Sequence, residues 1–119
     1  MRKAQISTEF LIVISIAIFI FIIILGITLI KGIELNKLNN ELTEKNECLK
    51  LSNLITYTLI TGNNYTTTLN FNTTINPSMR IININNRVTC SMSTAAVNQA
   101  TIPKGKIIIT KNGDYVNVK

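Results

Sequence analysis

The spacing of apolar and polar residues changes twice along the chain, and each change marks a new element. From Phe10 to Ile30 the run FLIVISIAIFIFIIILGITLI carries no charge, and only Ser15, Gly26 and Thr28 interrupt it. As a helix these 21 residues rise about 32 Å, which matches the hydrocarbon thickness of a bilayer. Beyond Lys31 the apolar residues thin to Leu35, Leu38, Leu42, Leu49, Leu51, Leu54, Ile55 and Leu59, at a helical spacing broken only near Lys45. This predicts one helix running on from the apolar run and ending near Thr61, at Gly62 and Asn63, with Gly32 its most kink-prone position. The half from Cys48 onward is rich enough in apolar residues to pack on a sheet.

After Gly62 the period shifts to alternation, and Thr, Asn and Ile dominate. Residues 65–72 read as a strand with Thr67, Leu69 and Phe71 on one face. MRIININNRVTCSM reads as a hairpin turning at Asn85-Asn86, which sets Ile81 opposite Cys90, Asn83 opposite Val88 and Met79 opposite Met92. That register gathers Met79, Ile81, Val88, Cys90 and Met92 on one face, aimed at the helix that holds Cys48. GKIIITKNGDYVNVK reads as a second hairpin with Asn112-Gly113 at its turn and Ile107, Ile109, Val116 and Val118 inside. STAAVNQATIPKG, between the hairpins, reads as a loop or short edge piece. The expected fold is α+β: a long N-terminal helix packed on a small antiparallel sheet.

Composition narrows the function. The 119 residues carry a formal charge of +6, but the basic residues are scattered singly and there are only four Phe, three Tyr and no Trp. A nucleic-acid partner is therefore not expected. The chain has no His, no Gly-rich phosphate loop and no CxxC, and Asp114 is the one acid beyond Glu47. No catalytic site, metal site or cofactor is expected, and the protein is not read as an enzyme. Mixed charges along the amphipathic helix argue against a calmodulin target.

The apolar run is too long for the h-region of an ordinary signal peptide, and Lys31-Gly32-Ile33-Glu34 follows it without an A-x-A site. The helix is thus expected to be retained as a single membrane span. Arg2 and Lys3 hold its N-terminus in the cytoplasm and send the remainder outside. In an exported domain Cys48 and Cys90 have one pairing available, and a disulfide is expected. Asn64-Tyr65-Thr66 and Asn72-Thr73-Thr74 are sequons open to N-glycosylation, while Asn76-Pro77-Ser78 is blocked by its proline.

Glu9 stands at the lip of the apolar run. One account places it in the first helical turn, where a carboxylate complements the helix dipole for about 0.3–1 kcal/mol. The other takes it as an acid awaiting a cation, since acids beside hydrocarbon are costly and usually functional. No Lys or Arg lies in the next twenty residues. Cleavage after Ala4 would, however, create an α-amine at Gln5, about one helical turn away. Steric reach favours such an amine arriving from a neighbouring molecule.

Arg2-Lys3-Ala4 followed by Gln5-Ile6-Ser7-Thr8-Glu9-Phe10 resembles the class III signal peptide, Q-x-S-x-E-F, of archaeal type IV pilin-like proteins. The resemblance implies cleavage between Ala4 and Gln5 by a prepilin peptidase on the cytoplasmic side. It also implies that the helix is kept first as an anchor and then as filament core. Glu9 would engage the N-terminal amine of an adjacent subunit. Other pilin subunits, the membrane, an assembly ATPase and a platform protein are the implied partners, and adhesion is an implied use. Ala4 stands where many members have Gly, and the glycine-containing opening of archaellins is missing. The layout becomes a leader at 1–4, a membrane and filament-core helix at 5–31, an amphipathic helix at 32–61 and an extracytoplasmic β-rich head at 62–119. A rival expectation is an anchored protein with a small outer binding head that never polymerises.

Overall fold

A computed structural model describes the backbone of residues 2–119 and the side chains from Ser7 onward. The first element, α1, is a helix over Arg2–Thr61 that runs through Gly32 without interruption. No proline lies in this stretch, so nothing removes a ladder donor. The helix ends where the sequence indicates. Gly62 takes φ 74°, a left-handed position that glycine adopts without strain, and its N–H donates to the Thr58 carbonyl at 2.9 Å. Lys111 Nζ donates to the Leu59 carbonyl at 2.8 Å, satisfying another of the last orphan acceptors.

Contacts divide the chain into two compact units, one up to Asn39 and one from Asn40 to Lys119. In the first, every described side chain before Gly26 and after it is exposed. Ser15 and Thr28 turn their hydroxyls back to the carbonyls of Leu11 and Ile24, each at 2.8 Å, so the two hydroxyls within the apolar run are internally satisfied. Lys31 and Glu34 form an exposed ion pair at 3.3 Å, of a kind worth little in water.

In the second unit the end of α1 packs against two antiparallel sheets, giving an α+β fold. The strands are β1 (Tyr65–Leu69), β2 (Thr73–Asn76), β3 (Ile81–Ile84), β4 (Val88–Ser91), β5 (Ala100–Ile102), β6 (Gly105–Asn112) and β7 (Tyr115–Val118). They are ordered β1-β6-β7 in one sheet and β4-β3-β2-β5 in the other. The helix buries Glu44, Cys48, Leu51, Ser52, Ile55 and Thr58. Five of these (44, 48, 51, 55, 58) alternate spacings of four and three, as one face of a helix must. The expected stripe therefore splits: Leu51, Leu54, Ile55 and Leu59 join the core, whereas Leu42 and Leu49 are exposed on the other side.

The hairpin over 81–91 has its turn where expected but a different register. Asn85 and Asn86 take φ of 51° and 55°, and Arg87 N–H donates to the Ile84 carbonyl at 3.0 Å, as in a primed two-residue turn. Ile84 nonetheless pairs with Val88, Ile82 with Cys90 and Ile81 with Ser91. Arg87 is an extra residue in the ladder, and a one-residue slip exchanges the faces of β3. Ile82 and Ile84 are fully buried in place of Ile81 and Asn83, and Met79 is exposed. The energetics explain the choice. Burying an isoleucine is worth about 1.5–3 kcal/mol, whereas an Asn amide in the core without partners costs about 1–3 kcal/mol.

Three smaller differences complete the picture. The first strand stops at Leu69, so Phe71 packs on the core from a bend and 73–76 forms an unanticipated strand, β2. The last turn lies at Gly113-Asp114, one residue later than expected, because Asn112 pairs with Tyr115. Ile107, Ile109, Val116 and Val118 are all buried, as their alternation indicated. The piece between the hairpins supplies β5, at the edge of its sheet. It also supplies residues 96–98, which cover the free edge of β7: Val116 N–H donates to Ala96 O at 2.9 Å and Asn98 N–H to Val116 O at 3.1 Å.

Candidate functional site

Two regions bear on function: the N-terminal part of α1 and the braced junction between the end of α1 and the sheets. Ala4 and Gln5, the expected cleavage position, have side chains outside the described residues. Ser7, Glu9 and Phe10 are exposed on the helix, where the apolar run begins. In the intact chain α1 begins at Arg2, so Glu9 lies two turns inside it rather than in its first turn. The helix-dipole account of Glu9 thereby weakens, because that effect decays within one turn. The Glu9 carboxylate makes no hydrogen bond or ion pair with another described residue.

The candidate membrane span follows on the same helix. Its most apolar 18-residue window has mean hydropathy 3.4 and none of it is buried within the protein. A helix apolar on all sides and covered by none of its own chain suits lipid or a set of like helices.

At the junction, Cys48 on α1 and Cys90 on β4 form a disulfide with their Cα atoms 6.0 Å apart. Around it, helix side chains satisfy the backbone and turns of the sheets. Ser52 Oγ donates to the Ser91 carbonyl at 3.0 Å, on the open edge of β4. Thr56 and Ser93 share a hydroxyl–hydroxyl bond. Glu47 accepts from the Asn70 N–H at 3.0 Å and from its side-chain amide. Glu44, only 5% exposed, accepts from Asn85 Nδ2 at 3.0 Å.

Glu44 is the residue that sequence reading missed. The available signal was its position four residues before Cys48, on the face that the disulfide turns inward. The arrangement as a whole holds a helix on two sheets with one covalent and several polar ties. It is a mechanical brace.

The two sequons occupy different settings. Asn64 is exposed in the connector after α1, and Thr66 is exposed as well. Asn72 is also exposed, but its Oδ1 accepts from the Lys104 N–H at 3.0 Å and its carbonyl from the Asn85 N–H at 2.9 Å. Thr73, which follows it, is fully buried. Comparison with protein-family models, with curated proteins and with solved structures finds no match to this chain.

Proposed function

We propose that the chain is a structural subunit, major or minor, of an archaeal type IV pilus-like surface filament. A prepilin peptidase removes residues 1–4. The apolar helix anchors the subunit in the cell membrane and then joins the filament core, and the disulfide-braced unit faces outward. The observation that carries this reading is the order of residues: Gln5, Ser7 and Glu9 directly ahead of 21 uncharged residues that begin with Phe10, on one uninterrupted helix. The unburied span supports it, as does a Glu9 carboxylate without a partner among the described residues. A subunit whose apolar helix is covered by nothing of its own needs lipid or neighbours, and a carboxylate at its entry needs a cation that cleavage of a neighbour supplies.

In this role Glu9 is an assembly residue. Burying an acid between helices without a counter-charge is costly, so pairing with an α-amine selects one axial offset between adjacent subunits. Glu9→Gln removes the charge and keeps the shape. The expected result is normal membrane insertion and cleavage with loss of surface filaments, scored by electron microscopy of cells making only the variant. Normal filaments from that variant would remove the pairing from the account.

A further inference from the structure

At one end of the four-stranded sheet, Asn72, Thr74, Asn85, Asn86, Thr101 and Pro103 line an open recess of about 460 Å3. This lies within the range of small-molecule sites, about 300–1,000 Å3. Among the described residues no charged side chain lines it. We infer that this recess binds a neutral saccharide. The inference goes beyond the filament reading and rests only on residues of the 40–119 unit, so either can fail without the other.

The chemistry of the lining leads there. Two of the amides are oriented by bonds made with one half of the group. Asn72 Oδ1 is held by the Lys104 N–H at 3.0 Å, which leaves Nδ2 as a donor. Asn85 Nδ2 is held by buried Glu44 at 3.0 Å, which leaves Oδ1 as an acceptor. The Asn86 amide and the hydroxyls of Thr74 and Thr101 bond no other group among the described residues. Fixed donors and acceptors set side by side, without charge, suit vicinal hydroxyls, each of which donates and accepts at once.

Asn86 gives the second line of support. It takes φ 55° in the turn after β3, at the position where such turns favour glycine. Gly there would carry less backbone strain, whereas Asn places an amide on the recess.

That same position makes the test clean, because Asn86→Gly relieves the turn while deleting the amide. Thr101→Val, on edge strand β5, removes a hydroxyl and keeps the shape. The full chain would be made in a host without N-glycosylation, so that Asn72 carries no sugar, and held in lipid nanodiscs rather than in a maltoside detergent. Saturation-transfer NMR would then be run with lactose, maltose, N,N′-diacetylchitobiose and glucuronate, each at about 10 mM, a concentration suited to weak sites. The expected result is transfer to at least one neutral disaccharide, exceeding that to glucuronate. In the Asn86→Gly/Thr101→Val protein binding should weaken about fivefold for each lost bond, with the thermal midpoint equal to or above the parent's. Silence across the panel, stronger transfer to glucuronate, or undiminished transfer in the double variant would each overturn the inference.

Discussion

Ile82 on β3 lies directly opposite Cys90 on β4, and Cys90 is bonded to Cys48 of the helix. One residue pair thus fixes the hairpin register, the face that β3 turns inward and the attachment of α1 to the sheet. The covalent tie and the buried isoleucine are separable by mutation.

Removing the tie should be costly. The disulfide closes a loop of 42 residues, which in the chain-entropy model is worth about 4 kcal/mol. Cys48→Ala/Cys90→Ala, or reduction of the parent protein, should lower the stability of the 40–119 unit by about that amount. Urea unfolding followed by near-UV circular dichroism reports it. A shift below about 1 kcal/mol would show that the polar ties hold the junction unaided.

The register makes its own prediction. Ile82→Ala opens a cavity in the core and should cost about 2–5 kcal/mol. Ile81→Ala, on the outer face, should cost under about 1 kcal/mol. The register expected from a simple two-residue hairpin requires the reverse order, so chemical denaturation of the two variants decides between them.

Buried Glu44 and exposed Asn85 are joined by one hydrogen bond. Glu44→Ala removes the acceptor of the exposed Asn85 amide and should destabilise by about 1 kcal/mol. Glu44→Gln keeps an acceptor oxygen and removes the buried charge, so it should restore most of that loss. Equal destabilisation by both variants would mean that the carboxylate charge itself is required.

The two sequons should also diverge. Asn72→Ala removes the acceptor for the Lys104 N–H and should cost about 1 kcal/mol. Asn64→Ala, in an exposed connector, should stay within about 0.5 kcal/mol. In a host that glycosylates sequons, peptide mass mapping should find Asn64 occupied more fully than Asn72. The folded chain holds Asn72 in place and buries the residue that follows it.

Much of this was legible in the residues. The helix end at Gly62, the inner face of the last hairpin and the Cys48–Cys90 pairing follow from local chemistry: a left-handed glycine, strict alternation and a lone pair of cysteines. Three features were not. Strand β2 is four residues of Thr, Ile and Asn before a proline, too short and too polar to stand out from a loop. The bulge at Arg87 obeys the core rather than the turn, since Asn85-Asn86 alone indicates a register one residue away. Leu42 and Leu49 fit a helical stripe by spacing, but Glu44 and Cys48 define the inward face, and apolarity alone does not rank two faces of one helix. For the N-terminal segment, the proposed cleavage and assembly roles rest on the order of residues from Gln5 to Phe10 alone.

The central claim is that residues 1–4 are removed and the retained helix assembles with its neighbours. Its most direct test is mass spectrometry of the N-terminal peptide of the protein recovered from sheared surface filaments of the native cell. The account predicts a chain beginning at Gln5, carrying the apolar run intact. A chain beginning at Met1, or one found only in the membrane fraction and never in filaments, would contradict it.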